Sequence, residues 1–260
     1  MDLELRDKVI VVTGGARGIG AAIVRACSAE GAIPVIVDRR SDAARGLQAE
    51  LKNEGAHCEF VEVELAVPNN CKHAVQHAIQ VFGRIDAVIN NAGRNDKIGL
   101  EQGTPEQFLT SLHENLLHYY SMAHFALEYL KNSRGSIVNI SSKTALTGQG
   151  GTSGYASAKG AILALTREWA VELSSFGIRV NAVVPAEVMT PLYREWLATF
   201  PDPEEKLNRI VSKIPLGNRM TRAEEIASMV LFLLSSKAGH ITGQHLVVDG
   251  GYIHLDRALS

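Results

Sequence analysis

The most constraining feature of the chain is a glycine-rich turn between a β-branched run and an apolar helical stretch. The run spans Lys8 to Val12, the turn reads Thr13-Gly14-Gly15-Ala16-Arg17-Gly18-Ile19-Gly20, and the helical pattern continues to Ala29. This order predicts a strand, a tight turn and a helix. Because a strand that leads directly into a helix begins a βα unit, the chain is predicted to be an α/β protein.

The alternation of buried runs and helical patterns continues along the chain. Further strands are predicted at Ile33 to Val37, Cys58 to Val63, Ala87 to Asn90, Ser136 to Ile140, Arg179 to Val184 and His245 to Val248. Helices are predicted at Asp42 to Asn53, Asn70 to Phe82, Ser153 to Ser174 and Arg222 to Leu234, with two helices or one bent helix at Pro105 to Lys131. Short turns between these elements predict a parallel sheet covered by helices on both faces.

The domain organisation follows from the same pattern. No linker, repeat or low-complexity segment interrupts the 260 residues, so residues 1–260 are predicted to form a single domain. The long segment at about 186–216 follows the carboxyl end of a predicted strand. A substrate lid is expected at such a position.

Composition limits the classes of partner. The net charge is −2 and the basic residues are dispersed, so the chain has no basic stripe of the kind that binds nucleic acid. The acidic start MDLELRDK fits neither a signal peptide nor a membrane span, and three cysteines without CxxC spacing indicate no disulfide framework. His73 and His77 have helical spacing but no further ligand nearby, so no metal site is predicted. The protein is expected to be cytoplasmic, without nucleic acid or membrane partners.

The glycine turn and the second strand together indicate a dinucleotide site. Glycines let the backbone approach a pyrophosphate, and the N-terminus of a helix offers free amides to receive it. Asp38 follows Gly20 by eighteen residues, about where a dinucleotide fold places the carboxylate that binds the adenosine ribose. That carboxylate favours NAD, whereas Arg39 or Arg40 could pair with the additional phosphate of NADP. The sequence therefore favours NAD as cofactor and leaves NADP possible.

A second group of candidate residues lies between Ser142 and Lys159. Ser142 stands thirteen residues before Tyr155, and Tyr155 stands four before Lys159. If a helix begins near Ser153, the tyrosine and the lysine lie one turn apart on the same face. A nearby ammonium lowers the pKa of a phenol, which can then act as a general base near neutral pH. The pair alone equally fits an exposed tyrosine and lysine at ordinary helical spacing.

Six motifs stand in register along the chain. They are Thr13-Gly14-x-x-x-Gly18-x-Gly20, Asn90-Asn91-Ala92-Gly93, Asn115, Ser142, Tyr155-x-x-x-Lys159 and Pro185-x-x-Val188-x-Thr190. Together they resemble the short-chain dehydrogenase/reductase family across essentially the whole chain. The resemblance implies a single-domain Rossmann fold with a seven-stranded parallel sheet, a nicotinamide cofactor, and a homotetramer or homodimer.

The resemblance also implies a role for each matching residue. Asn115, Ser142, Tyr155 and Lys159 would form the catalytic tetrad. The cofactor would contact Gly14, Arg17, Gly18, Ile19, Gly20, Asp38, Glu64, Leu65, Asn91, Ala92, Gly93, Tyr155, Lys159, Pro185, Val188 and Thr190. This chain departs from the family twice: Glu64-Leu65 replaces the Asp-Val common at the adenine contact, and Pro185-Ala186 replaces Pro-Gly. The alanine would restrict the backbone if that turn requires a positive φ.

Three segments resemble a sugar-oxidising branch of this family that acts on L-fucose: NISSKTALTGQGGTSGY, NAVVPAEVMTPLY and DGGYIHLDRAL. The predicted substrate contacts are Asn95, Ser142, Lys143, Gln149, Tyr155 and Glu187. Each unpaired polar group buried against an apolar ligand costs about 1–3 kcal/mol, so their collective polarity favours a polyhydroxylated substrate. Lys143 and Glu187 equally fit solvated loop charges or a mutual pair.

The predicted reaction is NAD(P)-dependent oxidation of an aldose at its anomeric carbon to a lactone, with Tyr155 as the base. The alternative is a 3-oxoacyl thioester reductase or a hydroxysteroid dehydrogenase, which would share every catalytic residue. A non-catalytic dinucleotide sensor has little use for an intact tetrad. The aromatic residues Tyr119, Tyr120 and Phe125 are predicted to lie in the core or at a subunit interface. The tail Gly251 to Ser260, which carries His254, Asp256 and Arg257, is predicted to pack on a neighbouring subunit.

Overall fold

Seven strands pair in parallel to form one sheet. The structure, a computed structural model, describes residues 2–255. The strands are β1 (Val9–Thr13), β2 (Ile33–Asp38), β3 (Glu59–Glu62), β4 (Ala87–Asn90), β5 (Ser136–Ile140), β6 (Arg179–Pro185) and β7 (His245–Val248). Their order across the sheet is β3-β2-β1-β4-β5-β6-β7. The predicted seven-stranded parallel Rossmann sheet is confirmed.

Helices follow the strands in alternation. They are α1 (Gly18–Ala29), α2 (Ser41–Asn53), α3 (Pro68–Phe82), α4 (Pro105–Leu112), α5 (His118–Ser133), α6 (Ser153–Leu173), α7 (Pro191–Leu197), α8 (Pro203–Val211) and α9 (Ala223–Leu234). Helix α3 begins two residues before its predicted start, because proline is tolerated at the first position of a helix. None of the described helices combines the length and the apolarity needed to cross a membrane.

The two faces of the sheet carry separate apolar cores. Residues of α1, α2 and α9 pack on one face, and residues of α3, α5 and α6 pack on the other. All five residues of β1 are buried, as expected for a strand covered on both sides. The predicted coverage of both faces is thus confirmed.

The segment from Pro105 to Lys131 is helical throughout, which fits the prediction of two helices or one bent helix. Thr104 caps α4, since its hydroxyl accepts a hydrogen bond from the Gln107 amide while the Gln107 side chain accepts one from the Thr104 amide. A π-helical turn, His113–Leu117, then joins α4 to α5. Such turns widen a helix locally and often occur at functional sites. Asn115 lies within this turn and is fully buried.

The strand order reverses between β1 and β4, which are sequence-distant neighbours in the sheet. In open parallel sheets, a crevice forms beyond the carboxyl ends of the strands at such a point, and ligands bind there. The helices α7 and α8 lie in the segment 186–216, which follows the carboxyl end of β6. The lid function of that segment stays a prediction.

Candidate active site

A cleft of about 480 Å³ opens at the carboxyl edge of the sheet. It is lined by every residue that the resemblance assigns to the cofactor, namely Gly14, Arg17, Gly18, Ile19, Gly20, Asp38, Glu64, Leu65, Asn91, Ala92, Gly93, Tyr155, Lys159, Pro185, Val188 and Thr190. Ser142 lines it as well. One cleft therefore joins the glycine turn to three of the four residues of the predicted tetrad.

The glycine turn is closely packed against the end of β4. Gly14 has a φ of 63°, and a Cβ built there would approach the Ala92 Cα to 2.9 Å. A Cβ on Gly20 would lie 2.1 Å from the Gly14 carbonyl oxygen, so no larger residue fits that position. The Asn91 side chain donates to the carbonyl oxygens of Thr13 at 2.9 Å and Gly14 at 3.1 Å. Asn91 therefore fixes the turn, in addition to lining the cleft.

Asp38 ends β2 at the far end of the cleft and is almost fully buried. Its Oδ2 accepts a hydrogen bond from the Ala16 amide and its Oδ1 accepts one from the Arg40 amide, both at 3.0 Å. Each carboxylate oxygen has a second lone pair, so Asp38 can still accept hydrogen bonds from ribose hydroxyls. The carboxylate is thus held in a fixed orientation before any ligand binds.

Arg39 and Glu64 form an ion pair on the rim beside Asp38. The Arg39 Nη1 donates to the Glu64 Oε2 at 2.8 Å, and about half of each side chain is exposed. The Glu64 Oε1 also accepts from the Ala66 amide at 3.3 Å. The family departure at Glu64 therefore provides a partner for the arginine that could otherwise bind the additional phosphate of NADP.

The residues present fit a bound dinucleotide. The glycine turn lines the cleft and leads into the N-terminus of α1, where amides are free to receive a diphosphate. Asp38 lines the same cleft and supplies acceptors for a ribose. The donors and acceptors of this cleft are those that a nicotinamide dinucleotide requires.

Tyr155 and Lys159 lie on the first turns of α6, as predicted, and both line the cleft. Burial raises the pKa of Tyr155, hydrogen bonding with Ser142 lowers it, and the Asp96 carboxylate raises it. Burial of the phenol is the largest of these effects, so the net pKa of Tyr155 is raised. Burial also lowers the pKa of Lys159 to about 7. The lowering of the Tyr155 pKa by the lysine stays a prediction.

The Lys159 side chain reaches across to two other elements. Its ammonium donates to the Ile140 carbonyl at the end of β5 at 2.8 Å and to the Tyr119 hydroxyl on α5 at 2.9 Å. Tyr119 was predicted to lie in the core or at an interface, and it is fully buried. Its neighbour Tyr120 is half exposed.

The Asn115 side chain is engaged within the protein. Its Oδ1 accepts from the Arg94 amide at 2.8 Å, and its Nδ2 donates to the Ser111 carbonyl at 3.1 Å and to the Asp96 carboxylate at 3.4 Å. A Cβ on Gly93 would lie 3.2 Å from the Asn115 Oδ1 and 3.4 Å from the Lys159 Nζ, so these groups meet around that glycine. Asn115 does not line the cleft, and it holds the Gly93–Asp96 loop next to the lysine.

A buried polar cluster begins at Lys143, next to Ser142 in the chain, and reaches the cleft through Tyr193. Lys143 and Glu187 form an ion pair in which both side chains are about nine-tenths buried. The Tyr193 hydroxyl, on α7, donates to the Glu187 Oε2 at 2.7 Å, and the Lys143 ammonium lies 4.7 Å from the centre of the Tyr252 ring. Burial and the Glu187 carboxylate raise the pKa of Tyr193. We call Lys143, Glu187, Tyr193 and Tyr252 the polar cluster.

Two other predicted substrate residues lie apart from this cluster. Gln149 is exposed in the loop that precedes α6 and does not line the cleft. Asn95 is partly buried, does not line the cleft, and accepts from the Lys97 amide at 3.1 Å. Of the predicted substrate residues, Ser142 and Tyr155 line the cleft, and substrate contacts of the other four stay predictions.

Three features of the cleft are absent from the sequence-based prediction. Tyr193 lines it from α7, and Arg94 and Glu114 form an ion pair at 2.8 Å on its rim. His118 lines it while almost fully buried, and neither ring nitrogen has a hydrogen-bond partner within residues 2–255. Only the position of His118, three residues after Asn115, gave a signal for this site.

The second family departure leaves the backbone unstrained. Ala186 is not among the non-glycine residues with positive φ, so the turn after β6 does not require glycine. Within the described part of the chain, no group of three or more His, Cys, Asp and Glu side chains is arranged to hold a metal ion. Asp256 and Arg257 of the predicted tail contact lie outside the described residues.

Known proteins are similar to this chain over most of its length. A family model described as "Enoyl-(Acyl carrier protein) reductase" matches residues 14–253. L-fucose dehydrogenase from Bos taurus is 39% identical over 252 residues, covering 96% of this chain and 91% of that protein.

Two solved structures share the whole fold. The crystal structure of Cj0485 dehydrogenase is 46% identical with a TM-score of 0.94, and the match covers 100% of this chain and 99% of that one. The ligand-free aldohexose dehydrogenase (AldT) of Thermoplasma acidophilum is 32% identical with a TM-score of 0.89, covering 99% of this chain and 98% of that one.

Proposed function

The chain belongs to the short-chain dehydrogenase/reductase family and is an NAD(P)-dependent oxidoreductase, and we propose that it oxidises an L-fucose-like aldose at the anomeric carbon to a lactone. The observation that carries the proposal is the polar cluster beside Ser142. A steroid or an acyl chain placed there would meet a buried ion pair and a phenol, whereas a sugar offers hydroxyls that match them. The similarity to named sugar dehydrogenases supports the same substrate class.

In the proposed mechanism Tyr155 is the general base. The phenolate oxygen takes the proton of the anomeric hydroxyl, the carbon–oxygen double bond of the lactone forms, and the hydride leaves from the anomeric carbon. The nicotinamide of NAD, when bound, accepts that hydride. The Ser142 Oγ accepts from the Thr144 amide at 3.3 Å, and its hydroxyl hydrogen, which interacts with Tyr155, would donate to the substrate oxygen when substrate binds. Ser142 would thereby orient the oxygen that Tyr155 deprotonates.

Glu187 would accept hydrogen bonds from the ring hydroxyls through its remaining lone pairs. Lys143 occupies Oε1 and Tyr193 occupies Oε2, which leaves each oxygen able to accept one more hydrogen bond. A site that binds a substrate hydroxyl in this way rejects analogues lacking it, because a buried polar group is then left unpaired. The cluster would therefore discriminate between sugars by their hydroxyl pattern.

We further propose NAD as the preferred cofactor. Asp38 is oriented to accept from ribose hydroxyls, and a 2′-phosphate would lie against its carboxylate. Of the two arginines that could bind that phosphate, Arg39 is already paired with Glu64, and Arg40 also lines the cleft. The orientation of Asp38 and the pairing of Arg39 support discrimination against NADP.

A second candidate function is the reduction of a 3-oxoacyl thioester or the oxidation of a hydroxysteroid. Leu192 favours it, since this half-exposed apolar side chain lines the cleft from the candidate lid. The description of the matching family model names an acyl-carrier-protein reductase as well.

One experiment tests the function and separates the candidates. NADH formation is measured across a panel of aldoses, 3-hydroxyacyl thioesters and hydroxysteroids, with the lactone identified by NMR. We expect L-fucose-like aldoses to give the highest kcat/KM, and Tyr155→Phe to lose about 10²- to 10⁴-fold in turnover while still binding NADH. Turnover of acyl or steroid substrates without turnover of any aldose would exclude the sugar proposal.

We propose a homotetramer as the assembly. Tyr120 on α5 is 52% exposed and Val171 on α6 is 77% exposed, which leaves apolar surface on two helices of one face. Light scattering of the purified protein measures the mass directly, and a monomeric mass would exclude the assembly.

A further inference from the structure

A second tyrosine lies at the catalytic lysine. The Lys159 ammonium donates to the Tyr119 hydroxyl at 2.9 Å, and the Tyr119 hydroxyl donates to the Ile140 carbonyl at 2.8 Å. The ammonium also donates to that same carbonyl at 2.8 Å, so the three groups form a closed triangle. Lys159 and Tyr119 are both almost fully buried, which shields these contacts from water.

The triangle fixes how many bonds the lysine can still make. An ammonium has three N–H donors and no acceptor. Two of them are used by Tyr119 and Ile140, so a single N–H remains for the cleft. The Nζ lies 5.1 Å from the centre of the Tyr119 ring and 5.6 Å from the centre of the Tyr155 ring, which places it between the two phenols.

Packing alone does not account for the Tyr119 hydroxyl. Burial raises the pKa of Tyr119, so its phenol stays protonated and donates its one hydrogen to Ile140. Its oxygen can then act only as an acceptor, and the donor it faces is the Lys159 ammonium. A hydrogen bond accepted from an ammonium favours the charged form of that group and opposes the effect of burial.

We infer that Tyr119 is a positioning residue of the active site, whose hydroxyl holds the Lys159 ammonium in place so that its last N–H points to the cleft beside Tyr155. The inference rests on the proposed function only in that the dehydrogenase reaction uses Tyr155 as base. It assigns a catalytic consequence to a residue that the sequence places among core aromatics.

Few titratable groups lie around Lys159. The titratable groups around Lys159 are Tyr155 on its own helix and Tyr119 and His118 on α5; Asp96 acts on Tyr155, and Glu64 acts on His118. Burial lowers the pKa of His118 to about 3, so its ring is neutral throughout the range of an activity profile. A change in the pH profile after a substitution at Tyr119 therefore reports on Lys159 and Tyr155.

The test compares Tyr119→Phe with Tyr120→Phe. Both remove one phenol hydroxyl from adjacent positions of α5, but Tyr120 is half exposed and has no hydrogen bond to Lys159. We expect Tyr119→Phe to shift the acid limb of the kcat/KM profile upward by about 0.5–1 pH unit, because the ammonium loses a hydrogen bond and the phenolate of Tyr155 loses part of its stabilisation. The plateau value of kcat/KM at high pH should be retained in Tyr119→Phe. The kcat/KM profile of Tyr120→Phe should match that of the wild type.

A binding measurement gives a readout that does not depend on the substrate. NADH affinity is titrated by fluorescence between pH 6 and pH 9.5. Affinity should weaken as Lys159 loses its proton, and the midpoint of that weakening should move to lower pH in Tyr119→Phe alone. If no aldose is oxidised, the sugar proposal fails while this titration still decides the role of Tyr119.

Two outcomes would overturn the inference. One is a pH profile and an NADH titration for folded Tyr119→Phe that coincide with those of Tyr120→Phe. The other is an equal loss of kcat/KM at every pH, which is the mark of a merely structural defect. If Tyr119→Phe does not fold, as judged by circular dichroism, Tyr119→Met carries the same test, since methionine adapts to buried gaps and also lacks the hydroxyl.

Discussion

Replacing Glu64 by glutamine should relax the discrimination against NADP. In the native protein the Glu64 carboxylate holds the Arg39 guanidinium at 2.8 Å on the rim beside Asp38. Glutamine keeps the size of the side chain and removes its charge, so the guanidinium becomes free to pair with a 2′-phosphate. NAD carries no phosphate at that position, and its affinity should not change.

The exposure of the pair sets the size of the effect. The two side chains are 53% and 46% exposed, so the pair belongs with surface ion pairs that contribute about 0.2–1 kcal/mol. Releasing Arg39 should therefore tighten NADPH binding by about 1.4- to 5-fold, and addition of salt should reduce the gain. The assay is a fluorescence titration of NADPH and NADH at low and high ionic strength.

Glu62 offers a matched control. It pairs with Arg45 at 3.8 Å, its side chain is 53% exposed, and it does not line the cleft. Glu62→Gln changes the net charge equally but should leave NADPH binding unchanged. The reasoning is refuted if Glu64→Gln tightens NADPH no more than this control, or if the gain persists in an Arg39→Gln background.

Three further outcomes are expected. Asp38→Ala should weaken NAD binding by about tenfold and NADP binding less, because a 2′-phosphate removes one of the two ribose hydroxyls that can donate to that carboxylate. Equal losses in titrations of both cofactors would remove Asp38 from the ribose site. Glu187→Gln should lower the free energy of unfolding, measured in urea, by about 3 kcal/mol, since it leaves a buried ammonium unpaired. The same substitution should raise the KM for aldoses. As a control, Glu195→Gln at an exposed position should change the free energy of unfolding by less than about 0.5 kcal/mol. The pKa of His118 in the folded protein is about 3, so the unfolded chain binds more protons between pH 6.5 and pH 3. The free energy of unfolding should therefore decrease as the pH is lowered through that window. The loss from pH 7.5 to pH 5 should be about 2 kcal/mol, and it should disappear in His118→Leu but not in His57→Gln.

The sequence predicted those parts of the site that depend on local order. Glycines after a buried strand, a carboxylate at the end of the next strand, and a tyrosine one turn before a lysine are short-range patterns, and each lines the cleft as expected. The strand order places them together, because β1 and β4 are neighbours at the point where the order reverses.

Contacts between distant segments were outside the reach of the sequence. The bonds of Lys159 to Tyr119 and of Lys143 to Glu187 join residues 40 and 44 positions apart. No periodicity specifies which hydroxyl or carboxylate faces a given ammonium. The net direction of the Tyr155 pKa was likewise outside its reach, since it depends on how deeply the fold buries the phenol.

The hydrogen bonds of the Asn91 side chain to the glycine turn have a consequence for the order in which the chain folds. Because Asn91 holds the carbonyl groups of Thr13 and Gly14, the nucleotide-binding turn acquires this support only when the chain has been synthesised past β4. Chain segments emerge from the ribosome in order, N-terminus first. The helix that follows the turn, α1, packs in one core with α9, so the diphosphate half of the cleft also needs the C-terminal part of the chain.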